Sequence, residues 1–174
     1  MFVPPVIFFG LAALFMTGLG RENPNGLPST LIGRNAPALE VTPLGDLPQI
    51  NDAMLRAKSV KIVNYWASWC LPCRVEHPNL ITLKNQGIQI YGVNYKDEKA
   101  NALKFLSDLG NPFAAIGQDY DGRQAIEWGV YGVPETFIID GNGKIVLRFP
   151  GPITKHVLEK TILPAIKRAR ENTQ

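Results

Sequence analysis

Residues 64–78 read Asn64-Tyr65-Trp66-Ala67-Ser68-Trp69-Cys70-Leu71-Pro72-Cys73-Arg74-Val75-Glu76-His77-Pro78, and this run holds both cysteines and two of the three tryptophans of the chain. Ahead of it, Val60, Lys61, Ile62, Val63, Asn64 and Tyr65 form a β-branched, mostly apolar stretch of the length of a buried central strand. Behind it a helix is expected. Pro72 suits a first-turn position, where a missing N–H costs nothing, and that placement puts Cys70 at the cap and Cys73 inside the first turn. A thiol at the cap meets unpaired backbone N–H groups and the positive end of the helix dipole, both of which favour thiolate, whereas a thiol one turn in is shielded. Cys70 is therefore expected to attack and Cys73 to resolve.

Other uses of the pair fit less well. As a structural staple, a ring of four residues restricts the unfolded chain by only about 2 kcal/mol, against about 3 for a fifteen-residue loop. A zinc site wants four ligands, and beyond the cysteines the chain offers only His77 and His156. A c-type haem attachment site needs a histidine after the second cysteine, where Arg74 stands. A C-x-x-C between a strand and a helix points to thiol–disulfide exchange.

Working outward, a chain of 174 residues with 45% hydrophobic content suits one domain with a full core and an addition. The addition is at the front. Residues 1–20 carry no charge and include the apolar run 6–16, long enough for a membrane anchor or a signal sequence; both options export the domain. Residues 21–35, rich in Asn, Pro and Gly, read as a linker, and residues 36–174 as the folded domain. Within 36–50, edge strand and turn are expected, followed by a short helix over 52–57. The helix after Cys70 is expected to place Val75, Leu80 and Leu83 inward. A second strand over 88–94 completes a right-handed parallel crossover. A helix over 96–108 turns Ala102, Leu103, Leu106 and Leu109 inward. Strands at 136–140 and 144–149 flank Gly141-Asn142-Gly143, a hairpin signal, and a final helix over 154–170 buries Leu158, Ile162, Ala165, Ile166 and Ala169. The net charge of +3 is small, and Lys160, Lys167, Arg168 and Arg170 read as a solvated helical face, so no nucleic-acid partner is expected.

W-A-S-W-C-L-P-C at 66–73 resembles the active-site segment of the thioredoxin superfamily, and Glu76, His77 and Pro78 narrow the likeness to the membrane-anchored CcmG/DsbE type of cytochrome c maturation. Three further stretches resemble that type: G-V-N-Y-K-D at 92–97, D-Y-D-G-R at 119–123 and W-G-V-Y-G-V-P-E-T-F at 128–137. The likeness runs from about residue 31 into the last helix. It implies an α/β thioredoxin fold, a central mixed β-sheet flanked by helices, with a strand and short helix inserted within 111–132 before the cis-proline strand. It also implies that Pro134 is cis and lies against the active-site sulfurs, with Val133 beside it open to an extended substrate strand.

Ordinary thioredoxins carry a buried aspartate six residues before the first cysteine, and this chain has Asn64, which cannot ionise. Glu76, three residues past Cys73 on the same helix, is the candidate to take the inner thiol's proton. Trp69 and Val133 are expected along the substrate groove, and Glu135 and His77 are carried as further groove residues with a structural rather than a catalytic role. The function implied is a periplasmic thiol:disulfide oxidoreductase, held at the inner membrane by a single N-terminal span. It would reduce the C-x-x-C-H disulfide of apocytochrome c, or a maturation component carrying those thiols, and be recharged by a membrane thiol reductase. No metal or cofactor is implied beyond the dithiol. Two other readings stay open: a general exported reductase or oxidase of the same fold, and a copper carrier using Cys70, Cys73 and His77.

Overall fold

The computed structural model describes residues 7–12, 15–16 and 30–173. The expected anchor or signal over 1–20 falls largely outside these residues; 7–12 and 15–16 are helical, and among the described residues no helix is long and apolar enough to cross a membrane.

A short helix α1 (Asp52–Arg56), capped by the Asn51 side chain, leads into β1 (Lys61–Trp66), whose six residues are all buried. Helix α2 (Leu71–Asn85) carries the chain to β2 (Gln89–Tyr95), and α3 (Lys99–Leu109) carries it to β3 (Ala115–Asp119). The short α4 (Arg123–Glu127) precedes the hairpin of β4 (Glu135–Ile139) and β5 (Ile145–Pro150). The sheet order is β3-β2-β1-β4-β5, with β1 parallel to β2, β2 parallel to β3, and β4 antiparallel to both β1 and β5. This is the mixed sheet expected, with β3 and α4 as the inserted strand and helix. Alternation along β1 splits the core. Ile62, Asn64 and Trp66 face the layer of α2, α3 and the last helix, while Val63 and Tyr65 face the layer of α1 and α4.

Several local expectations are corrected. Val75 is exposed, because the inward stripe of α2 runs Cys73, Glu76, His77, Leu80 and Leu83, so two polar residues occupy the positions the apolar pattern had assigned elsewhere. In α3 the buried residues are Ala102, Phe105 and Leu106, with Leu109 exposed. That helix starts at Lys99 rather than at Lys96, since buried Asp97 holds the preceding loop in place through bonds from Ser68 and Asn94. The last helix buries all five expected residues but is not regular: α5 (Lys155–Val157) widens into a π turn (Leu158–Ile162) before α6 (Leu163–Glu171). Pro164 accounts for the break, having no N–H to continue the i to i−4 ladder.

The last residues of the expected linker 21–35 pair with the sheet. Gly33 N–H donates to the Ile145 carbonyl, Ile145 N–H donates to the Arg34 carbonyl, and Asn35 bridges Lys144, so the start of β5 is covered by residues placed outside the domain. The same lead-in reaches the far side of the sheet, where Thr42 pairs with Gln118 in both directions and Ile116 bonds Pro48 and Ile50. Val41 packs so closely on Gly117 that a Cβ there would lie 2.0 Å from Val41 Cγ2; β3 carries glycine because the lead-in crosses it.

Candidate active site

Cys70 is the N-cap of α2 and Pro72 is its second residue, as the sequence implies. The cysteines form a disulfide, with Cα atoms 5.3 Å apart, and Cys73 N–H donates to Cys70 Sγ at 3.1 Å. That donor remains when the bond is reduced, and favours thiolate on Cys70. The expected contrast in exposure is absent. Cys70 and Cys73 are 3% and 2% exposed, because both sit in the core layer with Trp66 and Ala67. What distinguishes them is the cap. In the reduced protein, brief iodoacetamide treatment at neutral pH is therefore expected to label Cys70 before Cys73, by mass mapping; equal labelling would sink the assignment of attacker and resolver.

The active-site loop is fastened to the β2–α3 connection. Asp97 is buried and accepts from Ser68 N–H at 2.6 Å, Ser68 Oγ at 2.7 Å and Asn94 Nδ2 at 2.9 Å, and Trp69 Nε1 donates to the Lys96 carbonyl. Lys96 adopts φ 44°, a conformation costly for a residue with a Cβ. Sequence reasoning gave Asp97 no role. The only signal was its place at the end of the stretch 92–97 that resembles the family. Trp69 is 57% exposed, on a cleft of about 350 Å³ shared with Lys96, Asp97, Asn101 and Tyr120.

The Val133–Pro134 peptide bond is cis, Pro134 is buried and Val133 is half-buried at the end of β4. Glu135 does not line a groove. Its side chain is fully buried and paired with Arg148, whose Nε donates to Oε1; Arg148 also donates to the Gly129 carbonyl, and its guanidinium lies 5.1 Å from the Tyr131 ring centre. The strand's alternation explains the placement: Glu135 shares the face of Phe137 and Ile139, in the layer of α1 and α4, opposite Thr136, which meets Asn64 on the dithiol side. His77 is structural: buried, its Nε2–H donates to the Gly110 carbonyl at 2.8 Å and its ring packs edge-on to Phe105. That bond engages Nε2, one of the two ring nitrogens that could bind a metal.

Glu76 is fully buried, not a solvated helix glutamate. Its Oε1 accepts from Asn64 Nδ2 at 2.9 Å and its Oε2 from Ile153 N–H at 3.0 Å. Burial pushes its carboxyl up from 4.5 to about 7, against the pull of those two donors toward the charged form. A carboxyl that changes charge near neutrality, on the helix that carries the dithiol, has the proton affinity a general base needs.

Comparison with known proteins agrees with this geometry. Residues 32–163 match the Redoxin family. The chain is 45% identical over 166 residues to the thiol:disulfide interchange protein HelX of Rhodobacter capsulatus, covering 95% of this chain and 94% of that protein. It is 47% identical to the DsbE homolog of Paracoccus denitrificans over 97% and 94% of the two chains, and 40% identical to DsbE of Escherichia coli over 94% and 91%. A crystal structure of a putative DsbE from Chlorobium tepidum matches with TM-score 0.62 at 32% identity, over 79% of this chain and 99% of that one. With a cysteine pair closed across a helix cap, a cis proline and a buried acid in one thioredoxin-like domain, the chain belongs to the DsbE/HelX family of thiol:disulfide interchange proteins and is a thiol–disulfide oxidoreductase.

Proposed function

We propose that this oxidoreductase works as a dithiol reductant in cytochrome c maturation, from the periplasmic face of an inner membrane to which residues 1–20 hold it. The observation that carries the reductant's chemistry is the arrangement of Cys70 at the helix cap, Cys73 inside the turn and a neutral-range acid, Glu76, buried on the same helix. The charge-free run at the front of the chain and the resemblance to the CcmG/DsbE type support export, anchoring and the cytochrome substrate.

In the reduced protein, Cys70 thiolate attacks the disulfide of a C-x-x-C-H segment, forming a mixed disulfide and releasing one partner thiolate, which takes a proton from solvent. Cys73 then gives its proton to Glu76 carboxylate and attacks Cys70 Sγ. The Cys70–Cys73 disulfide forms, the mixed disulfide breaks, and the second partner thiolate leaves. Two electrons pass to the partner, and Glu76 returns its proton to the leaving thiolate or to solvent. A membrane thiol reductase supplies two electrons to restore the dithiol. The partner segment lies extended beside Val133, where main-chain pairing at the end of β4 orients its sulfur.

The test is genetic and direct. Deletion of the gene is expected to remove covalent c-type haem from membranes, read by haem staining after denaturing electrophoresis, and wild-type but not Cys70→Ser protein restores it. Unchanged haem attachment would transfer the oxidoreductase to a general exported role.

A further inference from the structure

The contacts of Glu76 in this structure suit only one of its protonation states. Both carboxyl oxygens face donors, Asn64 Nδ2–H on one side and Ile153 N–H on the other. A protonated Glu76 would turn an O–H toward one of them, placing donor against donor. Ile153 N–H belongs to the backbone and cannot turn away. Asn64 can, because a half-turn of its terminal amide exchanges oxygen for nitrogen with little change of volume. Two observations make that exchange credible. Asn64 Oδ1 is buried with no hydrogen-bond partner, so the present orientation leaves its acceptor unused. The other atom bonded to Asn64 Nδ2 is Thr136 Oγ1, at 3.1 Å, and a hydroxyl accepts from an N–H as readily as it donates to a carbonyl.

We propose that Asn64 is a positioning residue for proton transfer, its amide presenting Nδ2–H to Glu76 as carboxylate and turning to present Oδ1 when Glu76 takes the proton of Cys73. This rests on Glu76 as the proton acceptor. In the turned state Glu76 O–H and Thr136 Oγ–H both donate to Asn64 Oδ1, Ile153 N–H keeps its bond to the other carboxyl oxygen, and the unpartnered end of the amide becomes the NH₂. The inner acid is thus served in both states by a neutral residue. An aspartate at 64 would instead bring a second carboxyl against Glu76 and couple the two titrations.

Glu76 is bonded by Asn64 from β1 and by the Ile153 N–H ahead of α5, Thr136 of β4 accepts from Asn64 in turn, and Cys73 and His77 are its buried neighbours along α2. Burial lowers the His77 pKa from its ordinary value, disfavouring the charged ring, and in the disulfide form Cys73 does not titrate. The oxidised full-length chain therefore removes the thiol from the titration.

In that chain, the Asn64 side-chain ¹⁵N and ¹H resonances are expected to shift between pH 5.5 and 8.5 with the same midpoint as Glu76 ¹³Cδ. In Glu76→Gln, which offers one donor and one acceptor at every pH, the Asn64 resonances should stay at the acid-state position throughout. Asn64→Leu, or Asn64→Ala if leucine does not fit, removes a hydrogen bond to the charged form and should raise the Glu76 midpoint by roughly one pH unit. The pH profile of mixed-disulfide decay should move upward with it. An Asn64 amide that stays put while Glu76 titrates overturns the proposal, as does a Glu76 midpoint unmoved by either Asn64 variant. Failure of the underlying reading looks different: Glu76→Gln would then resolve the mixed disulfide at the wild-type rate, whatever the Asn64 resonances do.

Discussion

Cys73→Ser is expected to stop the reaction at the mixed disulfide. Cys70 keeps its place at the cap of α2 and its bond from the backbone N–H of residue 73, which a serine there still supplies, so the attack on a partner disulfide proceeds. What is lost is the only internal thiol able to release the product, since the chain has two cysteines. Steady-state reduction should fall on the order of 10³-fold while a covalent complex accumulates. Non-reducing electrophoresis of membranes, followed by mass spectrometry, reads both the complex and its partner. The partner expected is an apocytochrome c joined through its C-x-x-C-H segment, or a maturation component carrying those thiols. Val133→Asp should weaken trapping without changing alkylation of Cys70. Turnover within tenfold of wild type, with no trapped species, would mean that an external thiol does the resolving.

The second large effect concerns Arg148. Its side chain is 9% exposed and that of Glu135 is 0%, so the pair is desolvated on both sides, and removing the cation leaves a buried carboxylate with no compensating charge. Arg148→Met is expected to cost about 3–5 kcal/mol at pH 7, far more than replacing both partners by apolar residues of similar volume. The cost should depend on pH in a defined direction. Burial already pushes the Glu135 carboxyl up, with Arg148 opposing it; without Arg148 the folded state holds the proton more tightly than the unfolded chain does. Stability of the variant is then highest at low pH and is lost as pH rises through the folded-state value. Urea midpoints at pH 5 and pH 7 measure this. A loss below about 1 kcal/mol, equal at both pH values, would show that Glu135 is neutral in the wild type.

The dithiol, its strand and its helix were legible because they rest on local rules: a β-branched run, a proline at the first turn, and a spacing that lets two sulfurs meet. The inserted β3 and α4 followed from the resemblance. Other features were hidden because they rest on pairings between residues distant in sequence. Glu76 and Val75 are adjacent, and hydropathy alone turns the valine inward. The reverse holds because Asn64 and Ile153, 12 and 77 residues away, supply donors for the carboxylate. Glu135 looked like a groove residue for want of Arg148, which closes on it from the next strand. Lys61, in the middle of an apolar run, is fully buried because its ammonium donates to the Leu55 and Ala57 carbonyls at the C-terminal end of α1.

The lead-in from Gly33 to Ile50 touches both outer strands of the sheet, bonding the start of β5 at one end and Gln118 and Ile116 of β3 at the other. An open strand edge is a template for pairing with another chain. By occupying backbone groups on β3 and at the start of β5, the lead-in shields part of both edges, so protection against self-association comes from a segment that carries none of the residues assigned to the chemistry. A domain trimmed to begin after Ile50 would keep the cysteines, the acid and the proline, and would present two sticky edges to every neighbour in a crowded compartment.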